Sequence, residues 1–134
     1  MPNTYIGEGR PNNETNDCTV IALSYAFQID YRKAYDIMAA AGRKPNKGIS
    51  FLKLFGGMLP HKGNKIRCTY LGRKVTIHPR PGMTIETFRK TNHKGTYILK
   101  VPGHVFVIKD GLVLNQRHMR QRVQYFIQVG PVVE

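Results

Sequence analysis

The sequence predicts an α+β protein, with helices in the first part of the chain and a mainly antiparallel sheet after them. Apolar residues recur at helical spacing from Asp17 to about Gln28, and from Ile66 onward they alternate with polar residues. The dipeptide Asp110-Gly111 between two apolar runs is a strong signal for a two-residue hairpin turn. At 134 residues the chain has the usual size of one domain, so we expect a single domain over residues 1–134.

The helices are predicted from caps and apolar spacing. Residues 1–15 are rich in Asn, Pro, Gly and Thr and read as an irregular arm, after which Asn16 is predicted to cap the first helix. Three more helical segments follow: Tyr31 to about Ala41, capped by Asp30 and ended by Gly42; Ser50–Leu59, weakened by two glycines; and a short helix opened by Thr84, with Ile85 and Phe88 inward.

The strands are predicted from alternation and turn residues. They are Ile66–Tyr70 with a continuation through Val75 and Ile77 after Gly72, then Thr96–Val101, His104–Ile108, Leu112–Asn115 and Val123–Val129.

The charge is unevenly distributed along the chain. The net charge is +13, and residues 1–40 hold 3 basic and 5 acidic side chains against 18 basic and 3 acidic in residues 41–134. Such a field attracts polyanions, and one interpretation is therefore a partner that is nucleic acid or an acidic protein. The alternative is a solvated basic surface that keeps the protein soluble.

Several classes of protein are not favoured. No apolar run approaches the roughly 18 residues of a membrane span, and the first residues lack the features of a secretory signal, so we expect a cytoplasmic protein without a membrane partner. The two cysteines and five histidines lack the short paired spacings of a metal site, and a reducing cytosol argues against a disulfide. We expect no metal and no cofactor, and no phosphate-binding Gly-Lys-Ser or Gly-Lys-Thr sequence occurs.

Cys18 is the candidate nucleophile. It follows Asn16-Asp17 and begins the buried first helix, where the positive end of the helix dipole favours a thiolate. The alternative is a buried, inert cysteine, and this is the prediction for Cys68, which lies in an alternating strand.

His104 and Asn115 are the candidate partners of Cys18. If Asp110-Gly111 forms the hairpin turn, Lys109 pairs with Leu112 and Phe106 with Asn115. Asn115 then becomes a diagonal neighbour of His104, within reach of a hydrogen bond that fixes the imidazole tautomer. His61, His78 and His93 are instead predicted to be solvent-facing loop residues, and the role of His118 is left open.

The segment Asn16–Leu23 at a helix start, the segment Gly103–Gly111 and Asn115 together resemble papain-like cysteine peptidases. More narrowly, they resemble the small C39-like proteins of bacteriophages and bacteria, and Thr84–Val101 resembles the stretch before the histidine strand in those proteins. The resemblance spans most of residues 12–115 and implies a papain-like fold.

The resemblance also implies a thiol-dependent hydrolase, either a peptidase or an amide or isopeptide hydrolase, encoded by a phage. It would act on a peptide or protein in the host cytoplasm or the virion. Cys18 is then the nucleophile, His104 the base and Asn115 the residue that orients it. Asn12, with Asn13 beside it, stands where the family has the side-chain amide that stabilises the oxyanion. The alternative function is a weakly active or inactive papain-like scaffold that binds nucleic acid or an acidic host protein through its basic surface.

Overall fold

The structure is a computed structural model that describes residues 16–55, 65–79, 81–114 and 119–132. The chain forms two compact units, residues 1–58 and residues 59–134. The described residues contain three α-helices and a six-stranded antiparallel sheet, so the predicted α+β class is confirmed. The single domain stays a prediction, and the arm at residues 1–15 lies outside the described residues.

The first unit contains helices α1 (Cys18–Phe27) and α2 (Tyr31–Ala40) and a short 3-10 helix, Phe51–Phe55. Seven of the ten residues of α1 are buried, as its almost entirely apolar sequence requires. Helix α2 begins as predicted, because the Asp30 carboxylate accepts a hydrogen bond of 2.7 Å from the backbone N–H of Lys33. Of the third predicted helix, Ser50–Leu59, residues 50–55 are described, and Phe51–Phe55 form the 3-10 helix.

The second unit contains one sheet and helix α3 (Ile85–Thr91). The strands lie in the order β1-β2-β6-β3-β4-β5, and all neighbouring pairs are antiparallel. Their bounds are β1 Ile66–Tyr70, β2 Arg73–Pro79, β3 Thr96–Val101, β4 His104–Lys109, β5 Leu112–Leu114 and β6 Tyr125–Val132.

The hairpin between β4 and β5 has the predicted register, with Lys109 opposite Leu112. Asp110 and Gly111 both have positive φ, 50° and 83°, as a two-residue type I′ turn requires. The Asp110 carboxylate also accepts a hydrogen bond of 2.9 Å from the backbone N–H of Gly95. A side chain in this turn therefore connects the hairpin to the start of β3.

Helix α3 packs on one face of the sheet, which we call the α3 face. Thr84 caps this helix as predicted, since its hydroxyl accepts a hydrogen bond from the backbone N–H of Thr87. The core on this face contains Ile85 and Phe88 of α3 together with sheet and loop residues: Tyr97, Leu99, Val101, Phe106, Ile108 and Val123. Within the described residues, no helix is both long and apolar enough to cross a membrane.

Candidate functional site

Cys18 is the first residue of α1 and is half-buried, whereas the helix behind it is almost completely buried. The backbone N–H of Ile21 donates to the carbonyl of Asp17 at 3.0 Å, which closes the first turn of the helix. The residue in the N-cap position is thus Asp17, and the prediction that Asn16 caps the helix is wrong. The Asp17 carboxylate makes no capping hydrogen bond to the backbone of the first turn.

The Asp17 side chain instead forms a hydrogen bond in the interior of the first unit. Its carboxylate, only 5% exposed, accepts a hydrogen bond of 2.7 Å from the hydroxyl of the fully buried Tyr31. This contact joins the residue immediately before Cys18 to the first residue of α2. The sequence pattern does not predict this hydrogen bond, because 14 positions separate the two residues.

Asn16 also has contacts that stabilise the chain before Cys18. It has a positive φ of 53°, which Asn tolerates better than most residues, and its side-chain amide donates to the carbonyl of Asn46 at 2.9 Å. The buried Arg43 donates to the carbonyl of Asn16 at 3.3 Å and places its guanidinium over the Tyr35 ring. Contacts with α2 and with the loop after it therefore hold the two residues that precede Cys18.

His104 is the first residue of β4 and follows the turn at Pro102-Gly103, as the sequence predicts. It pairs with Val101 and is half-buried. Its ring stacks on that of Phe106, with 5.9 Å between centroids and an angle of 13° between planes. Because alternate residues of a strand share a face, His104 lies on the α3 face with Phe106.

The other predicted site residues are Asn12, Asn13 and Asn115, and all three lie outside the described residues. The register on which the role of Asn115 depends, Lys109 opposite Leu112, is the observed one. Cys18 belongs to the first unit and His104 to the second, so their juxtaposition stays a prediction.

Cys68 lies in β1 and is half-buried rather than a full member of the core. Burial raises the pKa of its thiol above the usual range, which leaves less thiolate at neutral pH. Cys18 and Cys68 form no disulfide bond with each other in the structure. Over the described part of the chain, no three His, Cys, Asp or Glu side chains are grouped as metal ligands.

His78 departs from its predicted place, because it lies in β2 rather than in an exposed loop. Its ring stacks face to face on Phe126, with 4.3 Å between centroids and 8° between planes. Its Nε2 atom is buried and has no hydrogen-bond partner among the described residues. His93 does lie exposed in a loop as predicted, and His61 and His118 fall outside the described residues.

The pKa of His78 lies below its ordinary range. Burial is the main cause, because it disfavours the charged ring, and the positive charges of Lys65 and Arg67 act in the same direction. The nearby side chain of Gln128 acts in the opposite direction, with an effect smaller than that of burial.

This depressed pKa predicts a loss of stability in acid. Between the folded pKa and the unfolded pKa of about 6.5, the unfolded chain binds the proton and the folded chain does not. Protonation of His78 therefore does not affect the free energy of unfolding above that range, and the free energy of unfolding falls as the pH drops through it. Urea titrations from neutral to acidic pH measure this slope for the wild type and for His78→Phe, which keeps a ring against Phe126. The variant is expected to lose part of the slope, and identical slopes would contradict the assignment.

Comparison of the chain with protein-family models, with curated proteins and with solved structures gave no match.

Proposed function

We propose that the protein is a thiol-dependent hydrolase of papain-like fold, in which Cys18 is the nucleophile, His104 the base and Asn115 the residue that orients the base. The observation that carries the proposal is the setting of Cys18, a half-buried thiol at the first residue of a buried ten-residue helix. The N–H groups of the first turn and the helix dipole favour a negatively charged sulfur there.

The setting of His104 also supports the proposal. Strand β4 is anchored by buried residues after His104, including Phe106 and Ile108, so the imidazole stands at the end of a rigid strand. The stacking contact with Phe106 restricts the ring further. A general base must be positioned before its basicity is useful, and a strand end supplies this better than a loop.

In the proposed reaction, His104 takes the proton of the Cys18 thiol and the sulfur attacks the carbonyl carbon of an amide in a peptide or protein. The tetrahedral intermediate collapses when His104 returns the proton to the leaving amine, which gives an acyl-enzyme. Water, deprotonated by His104, then releases the acid and regenerates the thiol. The backbone N–H of Cys18 and the side-chain amide of Asn12 or Asn13 are the proposed donors to the oxyanion.

The two cysteines allow an internally controlled test with iodoacetamide at neutral pH. Cys18 is expected to react faster than free cysteine and at least about tenfold faster than Cys68, because only a thiolate is alkylated and burial raises the pKa of Cys68. Mass spectrometry of the digested protein gives both rates in one experiment. As pH increases, Cys68 should begin to react only above the pH at which free cysteine does.

Substitutions test whether the reactivity of Cys18 depends on His104 or only on the exposure of its thiol. His104→Gln is expected to reduce the alkylation rate of Cys18 toward that of free cysteine and to leave the rate of Cys68 unchanged. Cys68→Ser should leave the rate of Cys18 unchanged. With p-nitrophenyl acetate, the wild type is expected to release a burst of one nitrophenolate per chain and to carry an acetyl group on Cys18. If Cys18 reacts no faster than free cysteine, or if His104→Gln has no effect on it, the hydrolase proposal is wrong.

A further inference from the structure

One part of the α3 face is polar and basic. Helix α3 packs near β3 and β4, and the strands β1, β2 and β6 present hydrophilic residues on the same face. We call this surface the basic sheet face and define it by Arg67, Thr69, Lys74, Thr76, His78 and Gln128, with Lys65 just before β1. The pairing register places these residues together, since Arg67 lies opposite Thr76, Thr69 opposite Lys74, and Thr76 opposite Gln128.

The cations of this face are exposed and not neutralised. Lys65, Arg67 and Lys74 are exposed and form no ion pair with a carboxylate of the described residues. In the described part of the second unit the acidic residues are Glu86 and Asp110, and both are bound elsewhere: Glu86 pairs with Arg89 and Lys90, and Asp110 accepts from Gly95. The face therefore attracts an external anion.

A planar ring stands at the border between this charged surface and the apolar core. His78 is stacked on Phe126. Phe126 in turn forms edge-to-face contacts with Phe88 at 4.7 Å and Tyr97 at 6.1 Å between centroids. The imidazole is thus held in one orientation, close enough to Lys65 and Arg67 for their charges to act on it. It is an aromatic surface that lies within a positive field.

We propose that the basic sheet face binds single-stranded nucleic acid, with phosphates at Arg67 and Lys74 and a base against His78. This proposal does not depend on the proposed hydrolase, because it uses neither Cys18 nor His104. Proteins that bind single strands combine a positive surface that follows the backbone with aromatic rings on which bases stack. The hydroxyls of Thr69 and Thr76 and the amide of Gln128 add neutral donors and acceptors that suit sugars and base edges.

An acidic protein is the less favoured partner. Carboxylate side chains would use the cations of the face but would gain nothing from a fixed aromatic ring. Lys74 and His78 lie on either side of Thr76 in β2, each about 7 Å from it on the same face, and Arg67 lies opposite Thr76. Arg67 and Lys74 therefore form a short basic row with the His78 ring at its end. A polymer with a charged backbone and flat bases matches both features.

The test is fluorescence anisotropy with labelled single-stranded DNA and RNA oligonucleotides of about 12 nucleotides, titrated with the full chain. The wild type is expected to bind both at about 50 mM salt and to lose affinity steeply toward about 200 mM. Arg67→Glu with Lys74→Glu should weaken binding at least about tenfold and lower the salt slope by about 1.4, since each lost phosphate contact on a single strand contributes about 0.7. His78→Ala should weaken binding about tenfold without a change in slope.

The matched control is Lys33→Glu with Arg120→Glu, which changes the net charge equally at two exposed positions outside the basic sheet face. This control is expected to weaken binding less than about threefold. Equal loss in both double variants, no binding at low salt, or equally tight binding of polyglutamate with the same sensitivity to Arg67 and Lys74 would each overturn the proposal. The last result would assign the face to an acidic protein. Arg67→Gln with Lys74→Gln repeats the test if the charge reversals unfold the chain.

Discussion

Replacing Phe88 by Ala is expected to lower the free energy of unfolding of the unit formed by residues 59–134 by about 3–5 kcal/mol, the usual cost of removing a buried phenyl ring. Phe88 is fully buried and faces the sheet from α3. Its ring makes edge contacts with Tyr97 at 5.2 Å and Phe126 at 4.7 Å between centroids. Each aromatic pair adds about 0.5–1.5 kcal/mol to the burial of the ring.

Urea denaturation of the wild type and of Phe88→Ala measures this loss as a shift in midpoint at constant slope. Two variants are controls. Phe88→Leu keeps most of the volume and is expected to cost less than Phe88→Ala, whereas Leu112→Ala alters a side chain that is 62% exposed and should change stability by less than about 0.5 kcal/mol. A loss below about 1 kcal/mol for Phe88→Ala would contradict the packing of α3 on the sheet.

The elements that the sequence predicts correctly are those with local signals. Asp30 and Thr84 cap their helices because a short polar side chain can reach the backbone N–H three residues later. The hairpin at Asp110-Gly111 is predictable for the same reason, since the turn type demands positive φ at both positions. In each case a few neighbouring residues determine the conformation.

The wrong predictions concern residues whose conformation depends on contacts with distant parts of the chain. Asn16 has the right chemistry for a cap, but its backbone takes a left-handed conformation and its side chain bonds to the carbonyl of Asn46. His78 follows apolar strand residues and precedes Pro79, so that it reads as a loop position, yet β2 continues through Pro79 because β6 pairs with it there. Neither the partner Asn46 nor the stacking partner Phe126 is close in sequence.

The same distinction between local signals and distant contacts applies to the candidate site. The sequence predicts Cys18 at a helix start and His104 at the start of a strand, and both placements are local properties that the structure has. The contacts that fix the residues before Cys18 come from α2 and the following loop, and no periodicity indicates them. A triad joins residues from remote parts of a chain, so local pattern alone does not specify its geometry.

The hydrogen bond between Tyr31 and Asp17, the residue before Cys18, is the basis of the second prediction with a large expected effect on stability. Tyr31→Phe is expected to lower the free energy of unfolding by about 1.5–3 kcal/mol, the range for a hydrogen bond to a charged group. The variant removes only the hydroxyl that donates to the buried Asp17 carboxylate at 2.7 Å. That carboxylate has little access to water, so it loses a donor that solvent does not readily replace.

Asp17→Asn and Tyr35→Phe are the controls for this prediction. Asp17→Asn keeps an oxygen that can accept from Tyr31 and should cost less than Tyr31→Phe. Tyr35→Phe removes a hydroxyl that makes no hydrogen bond with the described residues, although its ring contacts Tyr31 and Arg43, and should cost less than about 0.5 kcal/mol.

Hydrogen exchange distinguishes a local effect from a global one. Because Asp17 occupies the N-cap position, Tyr31→Phe should increase exchange first at the amides of the opening turn of α1, such as Ile21, whose N–H donates to the Asp17 carbonyl. If Tyr31→Phe is as stable as Tyr35→Phe and Ile21 exchanges at the wild-type rate, the buried carboxylate does not fix the start of α1. In that case other contacts, such as those of Asn16 and Arg43, maintain the backbone geometry before Cys18.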